Sequence, residues 1–369
     1  MSHTSTTLLS KDAMSRIFFF QFKQCKNRLP HRPRFAFNLD VFSRIQKTPE
    51  ATKAFILSYC VSPFSNGNFQ LATRRRTENS SPSPARLAVD IGGTFTDVTL
   101  TVCGQLFTAK TLTTPRQPVL GVLDAIRTVC HRADCPPSSI GTCIHGTTLA
   151  TNALIEHKGA KVGLITTEGF RDIVEIAYER RYDQYDIFVD KPDLLVTREQ
   201  CWTIPERINA KGEVLTPLDL SSLDDIIAQM VEQRVESIAI CLLHSYINPT
   251  HERKLGEMIE SRYPNQTFTL SCEVCPEIRE FDRACTAIAN AYIKPLMQTY
   301  LRELASALLE EGLNCPLFIV TSGGGVTTLA TAQAFPIRLV ESGPSGGAIL
   351  AAQLAERCKV DRAVSFDMG

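Results

Sequence analysis

No stretch of this sequence approaches the roughly eighteen consecutive apolar residues of a membrane-spanning helix. The run Phe18-Phe19-Phe20 is also too short for the core of a secretory signal. A membrane protein is therefore not expected. Net charge is lacking too, since 39 Lys and Arg balance 39 Asp and Glu. The balance is uneven along the chain: residues 1–85 hold 13 of the basic and only 4 of the acidic residues, leaving 26 and 35 for the remainder. An acidic body behind a basic leader argues against a nucleic-acid surface on the folded part. Cysteines are plentiful, thirteen in all, but C-x-x-C occurs only at Cys272 and Cys275, with no second pair at zinc-site spacing. That pattern predicts buried or free thiols in a reducing compartment rather than a metal or disulfide framework.

Apolar residues make up 44% of the chain, enough to build the cores of two ordinary domains. Residues 1–85 form a leader rich in Arg and Ser that closes on Arg74-Arg75-Arg76 and Ser80-Ser81-Pro82-Ser83-Pro84. Its composition suits a mitochondrial transit segment or a disordered extension. Its length and the lack of an evident cleavage signal favour the extension, and with it a cytoplasmic location.

From residue 86 the pattern is that of an α/β protein. Leu87 to Ile91, Phe95 to Thr101 and Leu106 to Leu112 read as an antiparallel meander, followed by a helix over Val119 to Val129. Strands are then predicted near 140–144, 161–165 and 236–242, with helices near 148–157, 219–233 and 249–261. Tyr178 to Asp193 reads as a charged insertion on the rim. A long helix is predicted over Glu277 to Glu311, with a break or kink at Pro295. Arg279, Glu280, Asp282 and Arg283 are expected on its solvated face. Beyond it come a strand at Leu317 to Val320, the loop Ser322-Gly323-Gly324-Gly325, a helix opening at Ser342-Gly343-Pro344, and a last strand over Ala363 to Phe366.

The chemistry concentrates at Asp90-Ile91-Gly92-Gly93-Thr94-Phe95-Thr96-Asp97. A carboxylate at a strand end, followed by glycines and hydroxyls in a tight turn, suits phosphate binding. Glycines allow close approach, amides and the hydroxyls of Thr94 and Thr96 can donate to phosphate oxygens, and Asp90 can hold the water shell of Mg²⁺. Asp367-Met368-Gly369 repeats the strand, carboxylate and glycine theme. Asp90 and Asp367 are expected to converge as the catalytic and metal-shell carboxylates, with Gly92, Gly93, Thr94, Thr96, Asp97 and Gly369 binding the nucleotide. His145-Gly146-Thr147-Thr148, between a strand and a helix, reads either as a substrate or phosphate contact or as a helix cap by Thr with His145 packed beneath it. Ser342-Gly343-Pro344 reads as a capped helix start with Pro at the favoured position.

Residues 87–97, His145 to Leu154, Gly169-Phe170-Arg171-Asp172, Pro205-Glu206-Arg207-Ile208, and Ser342-Gly343-Pro344 with Gly346-Gly347 together resemble the hydantoinase A and 5-oxoprolinase family, from about residue 86 to the end. The resemblance implies an actin-like ATPase fold of the ribonuclease H, Hsp70 and sugar-kinase kind, with mixed sheets flanked by helices. Within it, residues 86–275 would be the N-terminal domain, and residues 276–369 a linking helix and the start of a second ATPase domain. It implies ATP and Mg²⁺ as cofactors, phosphorylation of the carbonyl of a cyclic amide such as a hydantoin, a lactam or 5-oxoproline, and a hydantoinase B-like partner subunit or domain. Ile91 stands where 5-oxoprolinases carry Arg, which favours the hydantoinase A type. The family's adenosine-binding region lies past the second phosphate motif, so the expectation is a chain truncated before its second half is complete. A small-molecule kinase or ATP-dependent carboxylase subunit of the same fold, and an inactive fragment or interaction module, are the alternative readings.

Overall fold

The computed structural model describes residues 84–114, 116–178, 185, 188 and 193–365. The leader before Pro84, most of the Tyr178 to Asp193 excursion, and Phe366 to Gly369 fall outside the described residues. The chain divides into two units, Met1–Thr48 with Arg181–Leu194 and Pro49–Arg180 with Leu195–Gly369, and every described helix and strand belongs to the second.

The expected meander opens the fold as β1 (Ala85–Ile91), β2 (Phe95–Val102) and β3 (Gln105–Leu112). Only Cys103 and Gly104, with φ of 49° and 81°, separate β2 from β3. Positive φ at both central positions is the type I′ turn, whose twist matches the paired strands. It sets Val102 opposite Gln105 and, five residues back, Asp97 opposite Lys110. α1 (Pro118–Ala133) starts with Pro where a missing N–H costs nothing and ends on Asp134 in the left-handed conformation. Its buried Val119, Val122, Ile126 and Val129 recur at helical spacing, and the helix packs on β2 and β3. β4 (Ile140–Thr147) then pairs parallel with β1, and α2 (Leu149–Ile155) follows.

A second sheet is built from the middle of this unit. It contains β5 (Val162–Thr167) and β6 (Cys201–Ile204); a small hairpin, β7 (Arg207–Ile208) and β8 (Val214–Thr216), precedes α3 (Leu223–Glu232). Then come β9 (Ser237–Cys241), α4 (Thr250–Arg262) and β10 (Thr267–Leu270). The order is β10-β9-β5-β6, all parallel. Every residue of β5 and β9 is buried, the continuous apolar pattern of strands covered on both faces. Leu223, Ile226, Ile227 and Met230 of α3, with Leu255 and Ile259 of α4, pack on Ile165, Trp202, Ile238 and Ile240.

α5 (Glu280–Glu310) packs on β9 and β10 and runs unbroken through Pro295, where a break or kink was expected. Close packing around it, with Ala291, Ile293, Met297 and Tyr300 all buried, overrides the local cost of proline. β11 (Leu317–Val320) returns to the first sheet parallel to β4, and β12 (Val326–Thr328) closes that edge. The first sheet is therefore mixed, in the order β12-β11-β4-β1-β2-β3, and draws strands from both sides of α5.

Three expectations are corrected. Arg279 and Glu280 are exposed, but Arg283 is only 1% exposed. Its guanidinium donates to Ser271 Oγ and Glu277 O at 3.0 Å each and to Leu242 O at 2.7 Å. Ser271 Oγ donates in turn to Glu252 at 2.6 Å, and the amides of Leu242 and Cys272 reach the same carboxylate at 2.8 Å. A charge is tolerable there because its partners are built in. Second, α6 (Ser342–Cys358) starts where expected but is not capped by a side chain. Glu341 enters it at φ 63°, its N–H bonded to Thr151 Oγ1 at 3.1 Å, and Pro344 is its third residue. Third, Ala363 to Ser365 form no strand, because no described strand lies beside them to complete a ladder.

Among the described residues the eleven cysteines are free, as expected, and no helix is long and apolar enough to cross a membrane.

Candidate functional site

The meander's register lines up four residues across the first sheet: Lys110 on β3, Asp97 on β2, Asp90 on β1 and Gly146 on β4. Residues directly opposite one another share a face of the sheet. Lys110 Nζ donates to both carboxylate oxygens of Asp97, at 3.0 and 2.9 Å. Among the described residues no donor reaches the carboxyl of Asp90. Burial pushes the Asp90 pKa up, the Asp97 charge pushes it further, and Lys110 pulls it back. Gly146 makes this placement possible, because a Cβ there would stand 2.8 Å from Asp90 Oδ1.

Above Asp90 sits the turn. Gly92 N–H donates to Phe95 O at 2.9 Å, and Thr94 O accepts from Thr113 N at 2.9 Å. Thr113 Oγ1 donates to Gly92 O at 2.9 Å, so the buried Thr96 hydroxyl, 3.2 Å away, is the donor to Thr113. Gly92 and Thr96 therefore hold the turn in shape. Gly93 and Thr94 are exposed, and their amides make no backbone hydrogen bond within the described residues. Thr148 pins the turn from β4's side: its amide and its hydroxyl both donate to Ile91 O, at 3.1 and 3.2 Å. Asn152 Nδ2, bonded to Thr148 Oγ1 at 3.4 Å, lies 3.8 Å from where a Cβ on Gly93 would stand.

His145 lies one residue below this row and is 1% exposed. Tyr300 OH is 2.8 Å from its Nε2, and Val89 O is 3.3 Å from its Nδ1. Burial lowers its pKa to about 4, with the Val89 bond opposing. The ring is thus neutral, with Nδ1 donating and Nε2 accepting. Thr147 is buried as well, its hydroxyl accepting from Leu149 N at 3.2 Å. His145 is packed beneath the helix start, but the expected cap is not made: Thr148, which precedes α2, makes no side-chain cap hydrogen bond, and its hydroxyl goes to Ile91 O instead.

The structure thus brings together Asp90, Asp97, Gly92, Gly93, Thr94, Thr96, Gly146 and Thr148. Asp367 and Gly369 lie outside the described residues. Lys110, Thr113 and Asn152 join the site without having been singled out in the sequence. The two-residue turn at 103–104 could have found Lys110, since it alone places position 110 opposite position 97. Nothing local marks Asn152.

The profile described as Hydantoinase/oxoprolinase N-terminal region matches residues 86–263, and that described as Hydantoinase/oxoprolinase matches residues 283–369. The chain belongs to the hydantoinase/oxoprolinase family. An uncharacterized protein of Methanocaldococcus jannaschii is 37% identical over 289 residues, covering 77% of this chain and 42% of that protein. Caprolactamase subunit alpha of Pseudomonas jessenii is 32% identical over 291 residues, again 77% of this chain and 42% of the relative. The crystal structure of ATP-dependent caprolactamase from that organism superimposes with a TM-score of 0.64 at 32% identity, covering 73% of this chain and 40% of that one. Nucleotide-free acetone carboxylase, solved in connection with ATP-dependent acetone carboxylation, superimposes with a TM-score of 0.67 at 25% identity, covering 75% and 41%. The fold of this hydantoinase/oxoprolinase chain is accordingly of the actin-like ATPase type. The chain spans about two fifths of the length of these relatives.

Proposed function

We propose that this chain forms the first phosphate-binding face of an ATP-dependent enzyme that activates the carbonyl of a cyclic amide for ring opening. The observation that carries the reading is the row of Asp90, Asp97 and Gly146 beneath an exposed glycine turn, set in the fold of an ATP-dependent lactam hydrolase 32% identical to it.

The residues present fit a magnesium nucleotide. Gly93 and Thr94 are exposed, with amides that make no backbone hydrogen bond within the described residues, in a turn held by the bonds of Gly92, Thr94 O and Thr96, an arrangement suited to phosphate oxygens. Asp90 and Asp97 offer carboxylates to a metal's water shell. Among the described residues no three His, Cys, Asp or Glu gather into a cage, which suits Mg²⁺, an ion held largely by phosphate and water. When bound, ATP supplies a phosphoryl group that converts a carbonyl oxygen into a leaving group. The chain's own work is positioning and electrostatic preorganisation: Thr96, Thr113 and Thr148 hold the turn, Gly146 gives the Asp90 carboxyl its room, and His145 with Tyr300 supports the strand. A second subunit or domain completing hydrolysis is part of the proposal, in keeping with the subunit name of the caprolactamase relative.

The test is ATP turnover by the assembled enzyme containing this chain. Stimulation by hydantoin, 5-oxoproline or caprolactam, lost in Asp90→Asn, is the expected result. Stimulation by a ketone with bicarbonate would favour the carboxylase reading, which rests on the match to acetone carboxylase. Stimulation by a sugar alone would overturn both.

A further inference from the structure

The site as described turns two carboxylates toward a ligand that is itself a polyanion. Among the described residues only one cation contacts either of them, and it is Lys110. Its place is set by backbone register, opposite Asp97 and one strand removed from Asp90. Its ammonium also lies 4.6 Å from the centroid of the Phe95 ring, and Phe95 is the residue that leads out of the glycine turn. Phe95 and Asp97 alternate onto the same face, so the ammonium is shared between the carboxylate and the ring of the residue next to the turn. The Lys110 side chain is 52% exposed and that of Asp97 30% exposed. An ion pair so open to water is weak and exchanges readily for a stronger, charge-assisted partner.

We propose that Lys110 is a phosphate-binding residue of this site: its ammonium rests on Asp97 in the free protein and transfers to a polyphosphate that occupies the glycine turn. The proposal rests on the nucleotide reading above and adds a residue and a direction of exchange to it. Asp97 then has two tasks. It stores the lysine near the turn, and it competes with the ligand for it.

Calorimetric titration of the assembled enzyme containing this chain with Mg-ATP, and with inorganic tripolyphosphate free of magnesium, separates these claims. Lys110→Met should weaken tripolyphosphate binding at least about 10-fold and lower the slope of log Kd against log salt concentration, as loss of one screened charge–charge contact requires. Lys110→Arg should recover most of the affinity. Asp97→Asn should tighten tripolyphosphate binding several-fold, because the competing carboxylate is gone. Melting curves verify that each variant is folded. Wild-type affinity and salt slope in Lys110→Met, or unchanged or weaker binding in Asp97→Asn, would overturn the proposal and leave the nucleotide reading standing. No binding of either ligand by the wild-type assembled enzyme would overturn both.

Discussion

Two pairs of carboxylates, one on the first sheet and one beside the second, have opposite surroundings. Glu206 and Glu252, at the second sheet, are 4% and 0% exposed, and each is met by donors from several elements. Thr167 Oγ1 donates to Glu206, and His251 Nδ1 lies 2.7 Å from it; Glu252 gathers Ser271, Leu242 and Cys272. Asp90 and Asp97, on the first sheet, lie side by side, and among the described residues one lysine, bonded to Asp97, serves the pair. Fully satisfied carboxylates tie elements together, whereas an underserved carboxylate beside a like charge is primed for a metal or ligand. On the proposed reading, the first sheet takes the ligand because its polar groups are left incomplete.

The comparison can be broken most severely at Glu252. Glu252→Ala strands the Ser271 hydroxyl and the buried amides of Leu242 and Cys272, and should cost about 3–5 kcal/mol in urea unfolding. A loss under 1 kcal/mol would mean that the cluster is not a structural pin. His145 sharpens the contrast from within the first sheet, where a buried group is fully served yet neutral. Its pKa falls from 6.5 to about 4 on folding, so the unfolded chain binds the extra proton between those values. Stability should be complete above pH 6.5 and decline as pH falls toward 4, by roughly 3 kcal/mol in total at about 1.4 kcal/mol per unit. His145→Asn should flatten that slope in unfolding curves taken across the range.

Gly146→Ala tests the site itself. The added methyl meets Asp90 Oδ1 at 2.8 Å, and a displaced carboxyl should reduce turnover by the assembled enzyme about 10- to 100-fold. Retained activity would show that the position of Asp90 is not critical. Asp90→Asn should have the smallest effect on stability and of opposite sign. Its pKa is raised on folding by burial and by Asp97, so the folded state holds its proton more tightly than the unfolded one. The penalty for ionising it is absent below its ordinary value of 3.8 and grows as pH rises through that value. The variant should therefore be the more stable protein at neutral pH, with the two unfolding midpoints converging in acid.

Much of this was legible from residue order alone. The meander, the glycine turn, the long helix and the family motifs follow from apolar spacing and from Gly92-Gly93, because local steric rules decide them. The short strands β6, β7, β8, β10 and β12 were not foreseen, since runs of two to four residues become strands only when a partner lies alongside. Arg283 was misjudged for a related reason: its charge pattern is that of a surface residue, and its partners at 242, 271 and 277 come from other elements. Lys110 needed only the turn geometry, and Asn152 needed the fold.

One feature of the first sheet bears on how the protein is made. β4 ends at Thr147 and its neighbour β11 begins at Leu317, with the entire parallel sheet encoded between them. At about 5–20 residues per second, a ribosome takes on the order of ten to thirty seconds to cover that interval. During it, β4 has an uncovered edge, while β5 to β10 already have every strand they need. The inserted sheet is thus positioned to mature first on the nascent chain, and the sheet that bears the glycine turn to close last.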